Sequence, residues 1–229
     1  MAQLGSSLSS LRPDSVKNLV LDAGSLWINA NIPDMLSATT SANIAFSEAI
    51  RLTNTWVDPN GVTVAPRPLG ATRGGTTFSI NKEERQVEVD GRRTNIKGLQ
   101  RVDMISPSIK TSLLEMADIS TLRLALGSSI LTSYQNFDSV RPALYPSDED
   151  YFGNITLFAT IAGRVSPDGS PLPIVIVMEN CRANTISDTP FTDKNEAVLE
   201  IELTAHSLDS DAFNIGCQFI VPKKISGYY

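Results

Sequence analysis

The only histidine in the sequence, His206, is the one side chain suited to move a proton near neutral pH. A Ser-His-Asp relay through it would need a presented nucleophile, and no serine sits in a Gly-x-Ser-x-Gly turn. His206 falls on the polar side of an alternating segment, where a solvated imidazole is expected. Cys181 and Cys217 lack zinc-ligand spacing, and one histidine cannot complete a Cys/His set, so both are expected to be free, packed thiols. Gly70-Ala71-Thr72-Arg73-Gly74-Gly75-Thr76 has the glycines of a phosphate loop. It precedes a strand and lacks Gly-Lys-Ser/Thr, so it offers no helix N-terminus to an anion. Its glycines are expected to let the chain bend into the strand at Thr76. Asp148-Glu149-Asp150 and Asp209-Ser210-Asp211 are short of a calcium loop and are expected to be solvated turns. Asn154-Ile155-Thr156 is a glycosylation sequon in form only. The expectation is no enzyme, no metal and no cofactor.

The elements that carry these residues read as mostly β. Leu199, Ile201, Leu203 and Ala205 alternate with Glu200, Glu202, Thr204 and His206, and Phe213, Ile215, Cys217, Phe219 and Val221 repeat the pattern. Ile105, Ile109 and Leu113 alternate with Ser106, Ser108, Lys110 and Ser112, and Val87 and Val89 with Gln86, Glu88 and Asp90. Each predicts one dry and one wet face, as in antiparallel sheets. Ile174 to Met178 is apolar on both sides and is expected mid-sheet. It pairs with Asn154 to Arg164 across the turn Ser166-Pro167-Asp168-Gly169-Ser170, and Asp58-Pro59-Asn60-Gly61 makes a second turn between Trp56-Val57 and Val62-Val64. One helix is bracketed by Asp118 as N-cap and Gly127 as C′, with a start one turn earlier left open. The stretches 28–71 and 128–150 are rich in Ser, Thr, Asn and Pro and read as long loops or arms.

Composition narrows the class. A chain of 229 residues is ample for one domain, and 1–229 is read as a single one with those two insertions. Charged residues are 19%, below the usual quarter. The net charge of -6 opposes tight binding of nucleic acid through its phosphates. The longest apolar run, Leu172 to Met178, is too short for a membrane span, and the start, Met1 to Ser6, lacks the parts of a signal peptide. A soluble protein folding in a reducing cytoplasm is expected. Charge is uneven: from Lys82 to Lys110 seven basic residues oppose five acidic ones, whereas from Leu144 to Asp211 three oppose twelve. Such asymmetry suits head-to-tail contact between identical subunits.

The order of motifs carries a resemblance. Gly70 to Ile80 leads into Glu84-Arg85-Gln86-Val87-Glu88-Val89-Asp90-Gly91. Ile96-Lys97-Gly98-Leu99-Gln100-Arg101 follows, and then a strand ending Ser112-Leu113-Leu114-Glu115-Met116 before the helix. This resembles the major tail (tail tube) proteins of siphophages of Gram-positive hosts, closely over Leu69 to Leu126 and again over Ala197 to His206. The resemblance implies two packed antiparallel sheets, sandwich- or barrel-like, with one short flanking α-helix and long loops. It implies a structural virion protein, made in the bacterial host cytoplasm, that closes into hexameric rings stacked around a channel for DNA ejection. Its partners would be further copies of itself and the tape measure, tail initiator, distal tail and terminator proteins. Viral DNA would pass without specific binding, and no membrane is involved.

Two sets of site residues follow as expectations. Glu84, Gln86 and Glu88 with Ser106, Ser108, Lys110 and Ser112 would line the channel, on the wet faces of the strands flanking Asp90 to Gly98. Arg92, Arg93 and Lys97 in that loop would reach an acidic rim on the next ring, with Asp148, Glu149 and Asp150 as candidate partners. The rival readings are another virion part, such as a decoration or tail-terminator protein, and a lectin-like β-sandwich binding module. The latter would present clustered exposed aromatics, whereas here aromatics are 7% and scattered along the sequence.

Overall fold

The computed structural model describes residues 20, 24–30, 56–57, 63–64, 66–87, 98–114, 118–147, 150–165, 171–186, 196–207 and 215–221. The elements are β1 (Ser25–Ile28), β2 (Trp56–Val57), β3 (Thr63–Val64), β4 (Arg67–Pro68), β5 (Thr72–Gln86), β6 (Gln100–Leu113), α1 (Ile119–Leu126), β7 (Ser129–Ser133), β8 (Asp138–Pro142), β9 (Phe152–Val165), β10 (Pro171–Ile186), β11 (Leu199–Thr204) and β12 (Cys217–Ile220). The protein is mainly β, its described strand pairs are antiparallel, and among the described residues one short helix accompanies them. The chain divides into two compact units: Met1–Leu69 with Gly153–Val177 and Gln218–Tyr229, and Gly70–Phe152 with Met178–Cys217.

In the first unit the strand order is β4-β1-β9-β10, with β12 also on β10. Its core is Leu26, Ile28, Leu69, Ile155, Phe158, Ile161 and Val175 to Val177. The run from Ile174 is therefore a central strand, buried on successive residues as its sequence requires. Asn154 does structural work here. Its side chain accepts from the Ala30 amide at 3.0 Å and donates to the Ala30 carbonyl at 2.8 Å. A buried Asn committed to a strand in this way is no glycan acceptor. β2 pairs with β3, Trp56 opposite Val64, while the turn expected between them, and that expected between β9 and β10, lie outside the described residues.

In the second unit the order is β10-β11-β6-β5. Leu199, Ile201 and Leu203 of β11 stand opposite Leu113, Thr111 and Ile109 of β6, and all six are buried. Burying apolar side chains of this size stabilises by roughly 1.5–3 kcal/mol each. The helix begins and ends where its capping residues place it. Asp118 accepts from the Thr121 amide at 2.9 Å and its hydroxyl at 2.8 Å. Because Asp118 is extended, with ψ 121, the helix does not start a turn earlier. Gly127 closes it in the left-handed region, φ 68, donating to the Leu124 carbonyl at 3.1 Å. The stretch read as an irregular loop after the helix is instead a regular hairpin, β7 on β8, with Leu131 opposite Val140.

Two expectations about wet and dry faces change. Along and around β12 the alternation does not bury its apolar members: Ile215, Phe219 and Val221 are each about half exposed, and Phe213 lies outside the described residues. Ser108, expected on a wet face, is 3% exposed. It sits mid-sheet between Ser79 on β5 and Thr204 on β11, and a hydroxyl pair with Ser79 at 2.9 Å satisfies it.

Candidate functional site

The longest pairing in the second unit is the β5–β6 ribbon, from Thr72 opposite Leu113 to Gln86 opposite Gln100. Among the described residues β5 is the edge strand of the order. Near its start, three residues of β5 (Arg73, Gly74 and Gly75) pass against one of β6 (Ser112) between the Thr72–Leu113 and Thr76–Thr111 pairs. Gly74 and Gly75 take up the excess at φ 77 and 85. The glycines thus form a bulge inside the strand, which begins at Thr72 and not, as the sequence suggested, at Thr76. A hollow of about 360 Å³ opens beside them, lined by Arg73, Thr77, Lys110, Ser112 and Glu202 among others. Its two cations are engaged, Arg73 with Glu196 at 3.4 Å and Lys110 with Glu202 at 3.1 Å.

Register decides which side chains share a face, and it separates the residues expected to line a channel. Thr77 faces Lys110, Ser79 faces Ser108, and Asn81 faces Ser106. These lie on one face of the ribbon, continued on β11 by Glu200, Glu202 and Thr204. Phe78, Ile80, Lys82, Glu84 and Gln86 lie on the other, opposite Ile109, Pro107, Ile105, Val102 and Gln100. An ion pair between Lys82 and Glu84 is consistent with that assignment. Glu84 and Gln86 therefore do not share a surface with Ser106, Ser108, Lys110 and Ser112. The polar face carries a balance of charge, with Arg85 held by Asp103 at 3.0 Å as well as Lys110 by Glu202. Glu88 lies outside the described residues, as do Arg92, Arg93 and Lys97.

The acidic run is also redistributed. Asp148 and Glu149 lie outside the described residues, but Asp150 is turned inward, 8% exposed. Its carboxylate accepts from the Ser147 amide at 2.7 Å, the Ser147 and Ser128 hydroxyls at 3.0 Å, and the Ser129 amide at 3.3 Å. Burial pushes this carboxyl up, yet the hydrogen bonds from Ser147, Ser129 and Ser128 outweigh it and hold it below the ordinary carboxylate range. Asp150 is a staple, spent inside the protomer and withdrawn from any acidic rim.

That staple fastens the base of the β7–β8 hairpin, whose side chains sequence reasoning missed. Tyr134 and Phe137 close its tip, the Tyr134 amide donating to the Phe137 carbonyl at 2.7 Å, and they are 64% and 78% exposed. Leu144 and Tyr145 follow at 94% and 82%. Three exposed aromatics, Tyr134, Phe137 and Tyr145, thus lie at the tip and just past the base of one hairpin. Only the pairing of β7 with β8, invisible in the weak periodicity of 128–150, could have shown it.

His206 packs edge-on to the Tyr151 ring at 5.2 Å, with its Nδ1 3.2 Å from the Asn180 carbonyl oxygen. Arg182 sits 5.4 Å over the same ring. Cys181 is buried, Cys217 half-buried, and both are free thiols. Burial, then the nearby Glu179 carboxylate, push the Cys217 thiol up, away from the reactive thiolate. Among the described residues no three potential ligands gather to hold a metal ion.

No family model and no curated protein matches the chain. Among solved structures it is similar to the tail of an empty gene transfer agent particle in C6 symmetry, at 12% identity over 69% of this chain and 87% of that one, TM-score 0.35. It is similar to the baseplate of the anti-feeding prophage, 6-fold symmetrised, at 12% identity over 68% and 83%, TM-score 0.37. It is also similar to Hcp protein, at 10% identity over 79% and 86%, TM-score 0.28.

Proposed function

We propose that this chain is the tail-tube subunit of a siphophage of a Gram-positive host. Copies close into hexameric rings, and the rings stack into the channel through which DNA leaves the virion. The observation that carries the reading is the fifteen-residue edge strand β5 on a ribbon whose far half extends past β11. A long sheet edge is a template for pairing with another copy, and ring closure satisfies it for every subunit at once. The order of motifs in the sequence supports the same conclusion. Ser106, Lys110 and Ser112, with Glu200 and Glu202, are the residues assigned to the bore. Their charges offset one another, so transiting phosphates meet few unengaged cations.

Negative-stain microscopy of the purified protein, concentrated or seeded with a tail initiator, is expected to show rings or tubes. Particles that stay single under both conditions refute the tube. Arg92, Arg93 and Lys97 are assigned to the contact between rings, against Asp148 and Glu149. Reversing Arg92 and Arg93 to Glu is expected to leave rings while blocking their growth into tubes, read as tube length in micrographs. Exposed pairs contribute only about 0.2–1 kcal/mol each, but ring symmetry repeats the loss.

A second reading, a binding module, is favoured by one observation, the exposed aromatic rings of the β7–β8 hairpin. Retention on a polysaccharide column by a protein that forms no rings would favour it.

A further inference from the structure

Two ribbons in the second unit expose apolar side chains. The β7–β8 hairpin presents Tyr134 and Phe137 at its tip, Ile130 and Leu131 along its strands, and Leu144 and Tyr145 at its base. The far half of the β5–β6 ribbon presents Ile80 and Val102 on one face, with half-buried Ile105 between them. Neither covers the other within the protomer, since Phe137 is 78% and Val102 46% exposed. A two-stranded ribbon without a third layer is marginal in water, and patches beyond a few hundred Å² mark interaction sites.

We propose that the β7–β8 hairpin is a finger that docks on a second copy of this chain, seating Tyr134 and Phe137 on the Ile80, Ile105 and Val102 strip of that copy's β5–β6 ribbon. This rests on the self-association in the tail-tube reading and names the surfaces it uses.

Three features of the molecule select a second copy. The first is charge. The chain carries a net charge of -6, so copies repel except where a surface is balanced. The hairpin carries one acid, Asp138, and one base, Arg141, so its net charge is zero, and the strip is bordered by the Lys82–Glu84 ion pair. Both surfaces are neutral. The second is dimension. Five residue pairs make the hairpin roughly 17 Å long, and the strip from Ile80 to the Glu84–Val102 pair spans about 13 Å. The third is rigidity. The Asp150 staple and the bond from the Ala143 amide to the Ser128 carbonyl at 3.0 Å hold the hairpin at its root, so docking orders little. The contact is heterologous, finger to strip, and leaves each copy with a vacant finger or strip until a ring or filament forms. The Tyr134 and Phe137 rings supply on the order of 300–500 Å², about half of one partner's share in a standard interface. A single contact is therefore weak, micromolar or weaker, and persists when subunits engage both surfaces.

The test uses the full chain in sedimentation velocity from about micromolar to millimolar concentration. Wild type is expected to associate as concentration rises, and the doubly substituted Tyr134→Ser, Phe137→Ser chain at least ten-fold more weakly with an unchanged circular dichroism spectrum. Val102→Glu is expected to reproduce the loss. To fix the pairing, chains with Phe137→Cys are mixed with chains with Val102→Cys under mild oxidation. A disulfide that forms in the mixture and in neither sample alone supports the geometry, and Cys217 stays a slow competitor because burial and Glu179 push its thiol up. Undiminished association of the tip variant, tip-to-tip disulfides, or a wild type monomeric at millimolar concentration overturns the inference. So does hairpin-dependent retention of such a monomer on a polysaccharide. Tubes built by the tip variant would sink the finger and leave the tube reading standing. Finger-to-strip oligomers that never become rings or tubes would do the reverse.

Discussion

Gly127→Ala is expected to lower the unfolding free energy by about 3–4 kcal/mol, a large part of the ~5–15 kcal/mol that holds a typical domain folded. Two costs add at this position. The residue sits at φ 68, where an L side chain is strained by about 1–2 kcal/mol. A Cβ there would also stand 2.1 Å from the Ala183 carbonyl oxygen and 3.1 Å from its carbon. Both obstructing atoms are backbone of β10, which is fixed by its ladder to β11, so they cannot swing aside as a flexible side chain would. Either the last turn of α1 lifts, exposing Leu124 and Ala125, or the strand shifts. Gly75→Ala is the control. It shares a positive φ, 85, but has nothing within 4 Å of its Cβ position, so only the conformational cost of about 1–2 kcal/mol applies. Denaturant unfolding followed by circular dichroism measures both. Equal losses would show that α1 does not end against β10.

The contrast between these glycines also marks what the sequence makes legible. Local rules act over a few residues, so the capping pair Asp118 and Gly127 locates the helix, and strict alternation locates β11. Partnering depends on residues far apart. Even-numbered residues looked wet on both β5 and β6, but Thr77 pairs with Lys110 and Phe78 with Ile109, so even positions of β5 face odd positions of β6. An additional residue at Asp103 then changes the pairing to Glu84 with Val102. No count along one strand reveals such a phase, and the expected channel set divided between two faces for that reason. The hairpin shows a further limit. Its residues alternate poorly because neither face of the hairpin is buried, so the pattern that betrays strands is absent there.

The acidic run Asp148-Glu149-Asp150 repeats the lesson and leads to the second large effect. Charge runs read as solvated, yet Ser147 and Asp150 have the Ser-x-x-Asp spacing of a capping box, with the Asp150 amide returning a bond to the Ser147 carbonyl at 3.1 Å. Asp150→Asn is expected to loosen the hairpin without unfolding the rest of the second unit. An amide oxygen carries no charge and cannot hold four donors as a carboxylate does, and hydrogen bonds to charged groups contribute about 1.5–3 kcal/mol. Hydrogen exchange at the amides of β7 and β8 should therefore quicken roughly thirty-fold, for about 2 kcal/mol, while those of β11 stay protected. The pH dependence has a definite sign. Because the folded protein holds this carboxyl below its ordinary range, the staple's contribution is fully present above the unfolded pKa and is lost as pH falls through the folded one. Wild-type hairpin amides should accordingly lose protection below about pH 4, and the Asn variant should show no such acid limb. If association depends on a hairpin held rigid at its root, the same substitution weakens it at neutral pH with Tyr134 and Phe137 intact. Uniform quickening across β7, β8 and β11 would instead make Asp150 part of the global fold and remove the hairpin's independence.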